Sequence, residues 1–118
     1  MNQVLLPINF AALLEMLGGE KQIVASLLYK FAEELTSDLA ASEQAMVDQD
    51  AEALRQVAHR IKGTSANFLH ALMLSAAACE LEQACTEADA SLMTIKQQLM
   101  SDQARLAREE IESWRTDS

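Results

Sequence analysis

The reactive residues of this chain lie close to its midpoint. Residues 58 to 69 read Ala-His-Arg-Ile-Lys-Gly-Thr-Ser-Ala-Asn-Phe-Leu and hold one of the two histidines and one of the three glycines. His59 is the candidate nucleophile. A neutral imidazole nitrogen can attack near pH 7 without a strong base, because a free imidazole titrates at about 6.5. Such a side chain can accept a group and pass it on. Other chemistries find no support. Three glycines in these positions cannot build a glycine-rich phosphate loop. No Ser/His/Asp or Cys/His arrangement is present. His59 and His70 stand eleven residues apart with no Asp, Glu or Cys on a shared helix face, so no metal site is expected.

On a helical wheel, Leu54, Val57, Ile61 and Phe68 share an arc of about 60° that marks a core face. His59 lies nearly opposite its centre. Arg55, Lys62, Gly63 and Ala66 fall within about 60° of His59 on the outer face. A histidine serving the core would sit on the other side. An ordinary surface histidine is the competing reading, and two features count against it. Gly63 costs about 1 kcal/mol relative to Ala inside a helix, on a face where it fills no core need. Its missing side chain opens space beside the imidazole. Residues 53 to 79 also contain no Asp or Glu, although the chain carries 18. Arg55, Arg60 and Lys62 lie in that window, which predicts a local positive field suited to a dianion.

The elements that position these residues follow from the apolar spacing. Asn9 is a candidate N-cap, with Ile8 and Leu13 placed as a staple. A short first helix, Phe10 to Leu17, stops at Gly18-Gly19. The second starts near Glu20 and runs to about Val47, with Val24, Leu27, Leu28, Phe31, Leu35, Leu39 and Met46 at helical spacing. Asp50 caps a third helix from Ala51 to about Phe68. After a connection at Leu69-His70-Ala71, a fourth runs to about Glu87. Asp89 caps a fifth, about Ala90 to Trp114, with Leu92, Ile95, Leu99, Leu106, Ile111 and Trp114 as its apolar contacts. Arg115 to Ser118 is expected to fray. Short connections make consecutive helices antiparallel. The expected fold is all-α: an antiparallel up-down four-helix bundle with a short N-terminal helix covering one end.

Composition agrees. At 118 residues the chain fits a single domain, residues 1–118 with a core over about 8–114. Half of the residues are apolar and only 4% aromatic, with Ala and Leu dominant, which favours helix over strand. A net charge of −9 disfavours nucleic acid and anionic membrane surfaces as partners. No apolar run approaches the roughly 20 residues of a membrane span. No basic segment followed by an apolar one marks a signal peptide. The two cysteines, Cys79 and Cys85, point in different directions on one helix and are expected as free thiols in the core, consistent with a reducing, cytoplasmic compartment.

His59-Arg60-Ile61-Lys62-Gly63-Thr64-Ser65 resembles the signature of the histidine-containing phosphotransfer (HPt) domain: His, any residue, an aliphatic, Lys, Gly and two small residues. Leu17-Gly18-Gly19, Asp50-Ala51-Glu52-Ala53-Leu54 and Leu81-Glu82 are also similar to that family, and the resemblance spans about residues 8 to 114. It departs at Leu69-His70, where the family usually has a Gly. Leu81-Glu82 arrives one residue late, as a one-residue insertion in the third connection would make it. The resemblance implies relay of phosphate between aspartates of receiver domains, those of a hybrid sensor kinase and of a response regulator. His59 would be the phosphorylated nucleophile. Lys62 would neutralise phosphoryl oxygens, and Gly63 and Ala66 would give the partner close approach. Arg55 and Arg60 would attract the partner's acidic pocket. Glu82 would orient the imidazole, or Gln83 if the insertion shifts the register. Mg²⁺ would belong to the receiver, and this chain would be a monomeric phosphocarrier with no cofactor and no autokinase activity. A helical-bundle adaptor without chemistry and a metal-binding bundle are the rival readings. The adaptor does not account for Gly63 or the acid-free window, and the metal-binding bundle would need stoichiometric metal in the purified protein.

Overall fold

The structure, a computed structural model, describes residues 10–67 and 72–117. These form five helices and no strand: α1 Phe10–Met16, α2 Lys21–Val47, α3 Ala51–Asn67, α4 Leu72–Thr86 and α5 Ala90–Asp117. The all-helical expectation holds. The cap at Asn9, the staple from Ile8, the core position of Phe68 and the connection at Leu69-His70-Ala71 lie outside the described residues. Helix α5 continues past Trp114 to Asp117.

Three helices end in the same way. The Gly19 amide donates to the Leu14 carbonyl at 2.8 Å and the Gly18 amide to Glu15 at 3.1 Å. Asp50 to Ala45 (2.9 Å) and Gln49 to Met46 (3.2 Å) repeat the arrangement after α2, and Asp89 to Ala84 (3.3 Å) and Ala88 to Cys85 (3.1 Å) repeat it after α4. This is the Schellman pattern, which needs a left-handed residue before its last donor. Gly18 supplies one at φ 71°, but Gln49 (φ 56°) and Ala88 (φ 54°) adopt it against their Cβ atoms. The next residue then starts the following helix. The Asp50 carboxylate accepts the Ala53 amide at 3.0 Å and that of Asp89 accepts the Leu92 amide at 3.1 Å. Closing one helix and capping the next within two residues makes both turns tight.

Helix α3 packs on α2 and α4, and α5 packs on α4 and α2. The α3–α4 pairing is the most extensive. Helix α1 rests on α2, and Phe10 stacks on Trp114 of α5 with ring centroids 5.8 Å apart and planes 2° from parallel. Leu28, Leu35, Leu54, Ile61, Leu74 and Leu81 are among the fully buried side chains that fill the centre.

Two expectations are overturned. Of the expected apolar contacts of α5, Ile111 is buried and Trp114 packs against the core, but Ile95, Leu99 and Leu106 are exposed, and Met100, Ala104 and Ala107 are buried in their place. At Leu99 and Leu106 the buried position is the next residue, Met100 and Ala107, about 100° further around the helix. Alanines on the inner face let α5 approach α2 and α4 closely, which leucines there would prevent. Both thiols are free, but only Cys85 is in the core; Cys79 is exposed.

Candidate functional site

Helix α3 divides as its spacing predicts. Leu54, Val57, Ala58, Ile61 and Ser65 are buried, while the His59 side chain is 64% exposed. Arg55, Lys62, Gly63 and Ala66 lie between these extremes. A Cβ built on Gly63 would meet nothing within 4 Å. The space beside the imidazole is open.

Helix α4 supplies the group beneath the ring. Glu82 Oε2 lies 2.8 Å from His59 Nδ1, and Glu82 Oε1 accepts a hydrogen bond from Lys62 Nζ at 2.6 Å. Gln83, the alternative, is exposed on α4 and faces away. The Ser75 hydroxyl donates to the Lys62 carbonyl at 3.1 Å, tying α4 to α3 about two turns before Glu82. The hydrogen bond from Lys62 holds the Glu82 carboxyl below its ordinary value near 4.5, with His59 adding to the effect against partial burial. The same bond raises the Lys62 ammonium. Glu82 is therefore ionised at neutral pH and can only accept. His59 Nδ1 must carry the proton, which leaves the lone pair on Nε2, the ring nitrogen away from Glu82.

The other two cations are not free. The Arg55 guanidinium forks onto Glu52, with Nε donating at 2.9 Å and a terminal nitrogen at 2.6 Å. Its remaining terminal nitrogen is 3.7 Å from Glu82 Oε2. Arg60 pairs with Asp38 of α2 at 3.0 Å. The expected positive field is thus corrected. The acid-free window exists along the chain, but α2 and α4 return carboxylates to its surroundings in space. No spacing within α3 signals Asp38 or Ser75 as neighbours of the site, because each comes from a second helix; Glu52 stands three residues before Arg55, a spacing that could have marked it.

Residues 26–116 match the family model described as Hpt domain. The chain belongs to the Hpt domain family. Hpt domains act in histidine phosphotransfer in two-component systems. They are phosphocarriers and interact with receiver domains. No curated protein and no solved structure gave a significant match.

On this Hpt domain an open groove of about 500 Å³ borders His59, lined by Glu34, Ser37, Asp38, Arg60, Gly63 and Thr64. It joins α2 to the exposed face of α3. Among the described residues, no group of three or more His, Cys, Asp or Glu could hold a metal ion. Among the same residues, no helix is long and apolar enough to cross a membrane.

Proposed function

We propose that this Hpt domain relays a phosphoryl group between receiver-domain aspartates through His59. The observation that carries the reading is the exposed imidazole whose Nδ1 is held at 2.8 Å by an ionised Glu82. That bond fixes the tautomer and the ring direction, so Nε2 meets an incoming aspartyl phosphate with its lone pair. The Nε2–P bond forms as the P–O bond to the aspartate breaks, and the aspartate leaves as a carboxylate. The imidazolium that results keeps its Nδ1 proton, and Glu82 stabilises the charge. Little more than positioning and charge neutralisation is required. Lys62, whose ammonium is 2.6 Å from Glu82 and one turn from His59, neutralises the phosphoryl oxygens. Gly63 and Ala66 leave room for the receiver, and Arg60 stands at the groove where it would dock. Mg²⁺ belongs to the receiver.

In this reading the five helices form an up-down bundle of α2 to α5 with α1 across one end, since tight turns make neighbours antiparallel. The protein works as a cytoplasmic monomer, with the receiver domains of a hybrid kinase and a response regulator as its two partners.

Receiver domains charged with radiolabelled phosphate test the reading. Label should pass to this protein as an acid-labile, base-stable adduct, and His59→Gln should abolish it. Equal labelling of His59→Gln would refute the assignment, and receiver binding with no transfer would favour the adaptor.

A further inference from the structure

We propose that Arg55 is a positioning residue for transfer, a second counter-cation that holds Glu82 on the imidazole when Lys62 turns to the phosphoryl group. The inference rests on the phosphotransfer reading and assigns Arg55 a part that faces inward, toward α4, instead of outward to the partner.

Three observations carry it. Glu82 is a hub, with its side chain only 17% exposed and one oxygen on His59 and the other on Lys62. A phosphoryl group on Nε2 adds close to two negative charges beside this carboxylate. Lys62 is the cation hydrogen-bonded to Glu82, and its ammonium cannot serve both acceptors as well as it serves one. As it turns outward, Glu82 is left less compensated, and the carboxylate is repelled by the dianion it must sit beneath. That repulsion acts on the bond that orients the ring.

The second observation is where Arg55 already stands. Its free terminal nitrogen is 3.7 Å from Oε2, the oxygen that receives the Nδ1 proton bond. That distance is an ion pair but not a hydrogen bond. A movement of under about 1 Å would make it one. The third is that Glu52 grips the other edge of the guanidinium at 2.6 and 2.9 Å. A planar fork held along one edge presents its remaining nitrogen in a set direction. Glu52, Arg55 and His59 occupy successive turns of one helix face, so the strut is built into α3 itself. The structure therefore holds a relay of alternating charges, Glu52 to Arg55 to Glu82 to the ring. Its last member acts on His59 without Arg55 touching the reacting atoms.

The test uses the full chain and phosphoramidate, a small donor that needs no partner. His59 Nε2 attacks its phosphorus, the P–N bond of the donor breaks, and ammonia leaves. Labelling is followed by intact mass with His59→Gln as control, and the His59 ring by ¹⁵N NMR before and after phosphorylation. Arg55→Gln should slow labelling about tenfold, the scale of a lost supporting contact behind a working group. It should also weaken retention of the Nδ1 proton in the phosphorylated form, where Nδ1 is the one ring nitrogen left to carry it. In a Glu82→Gln background the same change should cost less than about twofold, because Arg55 acts through the carboxylate. Equal slowing in both backgrounds, or a wild-type rate and wild-type ring shifts in Arg55→Gln, would overturn the proposal. A labelled His59 that exchanges phosphate with no receiver domain would instead refute the phosphotransfer reading, and the Arg55 measurement would still stand.

Discussion

Gly63 lets stability and transfer be driven in opposite directions by one substitution. It lies inside α3, four residues from His59, and a Cβ built there meets nothing within 4 Å. Gly63→Ala therefore adds a methyl group without a clash and removes the backbone entropy cost of glycine in a helix. The gain is about 0.5–1 kcal/mol. For a domain of this size that is an upward shift in the melting midpoint of about 2–4 °C. Transfer should respond in the other direction. Side chains four apart on a helix face lie about 5–6 Å from each other, so a new side chain at 63 intrudes on the approach to the imidazole. A displacement of about 1 Å in a reacting geometry can cost about 100-fold in rate. Gly63→Ala should be slowed about tenfold and Gly63→Leu about 100-fold, while both remain at least as stable as the parent. Thermal melts and stopped transfer from a charged receiver domain measure the two quantities on the same samples. A destabilised Gly63→Ala would contradict the open space beside the helix. A stabilised Gly63→Leu with unchanged transfer would refute the steric role.

Three further outcomes follow from the geometry. The Ser65 hydroxyl is fully buried and lacks a hydrogen-bond partner, so Ser65→Ala should raise unfolding stability by about 1 kcal/mol in urea melts. Ala88 adopts a left-handed conformation at φ 54°; Ala88→Gly should relieve it for a net gain of about 0.5–1 kcal/mol in urea melts, the reverse of glycine's penalty inside a helix. The Glu82 carboxyl lies below its ordinary value near 4.5, so its contribution is present above that pH and is lost as pH falls through the lowered folded value. Glu82→Gln should flatten the acid limb of the stability profile below about pH 4.5, and an unchanged limb would remove the ion pair from the account.

The parts of the fold that the sequence makes legible are those governed by local rules. Helices appear where apolar spacing is strict, and Asp50 and Asp89 mark starts because a short carboxylate satisfies a free amide whatever the tertiary context. Gly18-Gly19 marks a stop for the same reason. The matching stops at Gln49 and Ala88 carry no glycine, and only the Asp that follows each one betrays them. The inner face of α5 is misread at Ile95, Leu99 and Leu106 because leucine outweighs alanine in any apolar count, whereas burial rewards whichever face fits the gap. The site divides along the same line. The exposed face of α3 follows from one periodicity, and His59, Lys62 and Gly63 come with it. Asp38 and Glu82 reach it from other helices. The absence of acids between residues 53 and 79 is real along the chain and disappears in space.

That disappearance explains why the window is free of acids at all. Glu82 must remain the one carboxylate under the ring, since a second acid on α3 next to His59 would compete for Nδ1 and for Lys62. The packing makes a single distant carboxylate sufficient. Ala58 on α3 and Ala77 and Ala78 on α4 are buried, and small side chains between two helices let their backbones approach closely. At that spacing a glutamate side chain spans the gap and reaches His59 and Lys62 together. Ser75 bonds the Lys62 carbonyl at 3.1 Å and so pins the register in which it does. Larger residues at the alanine positions would move the helices apart, and Glu82 would lose the imidazole before the bundle lost its fold. The alanine enrichment that looks like plain scaffold composition is thus part of how the reactive histidine is aimed.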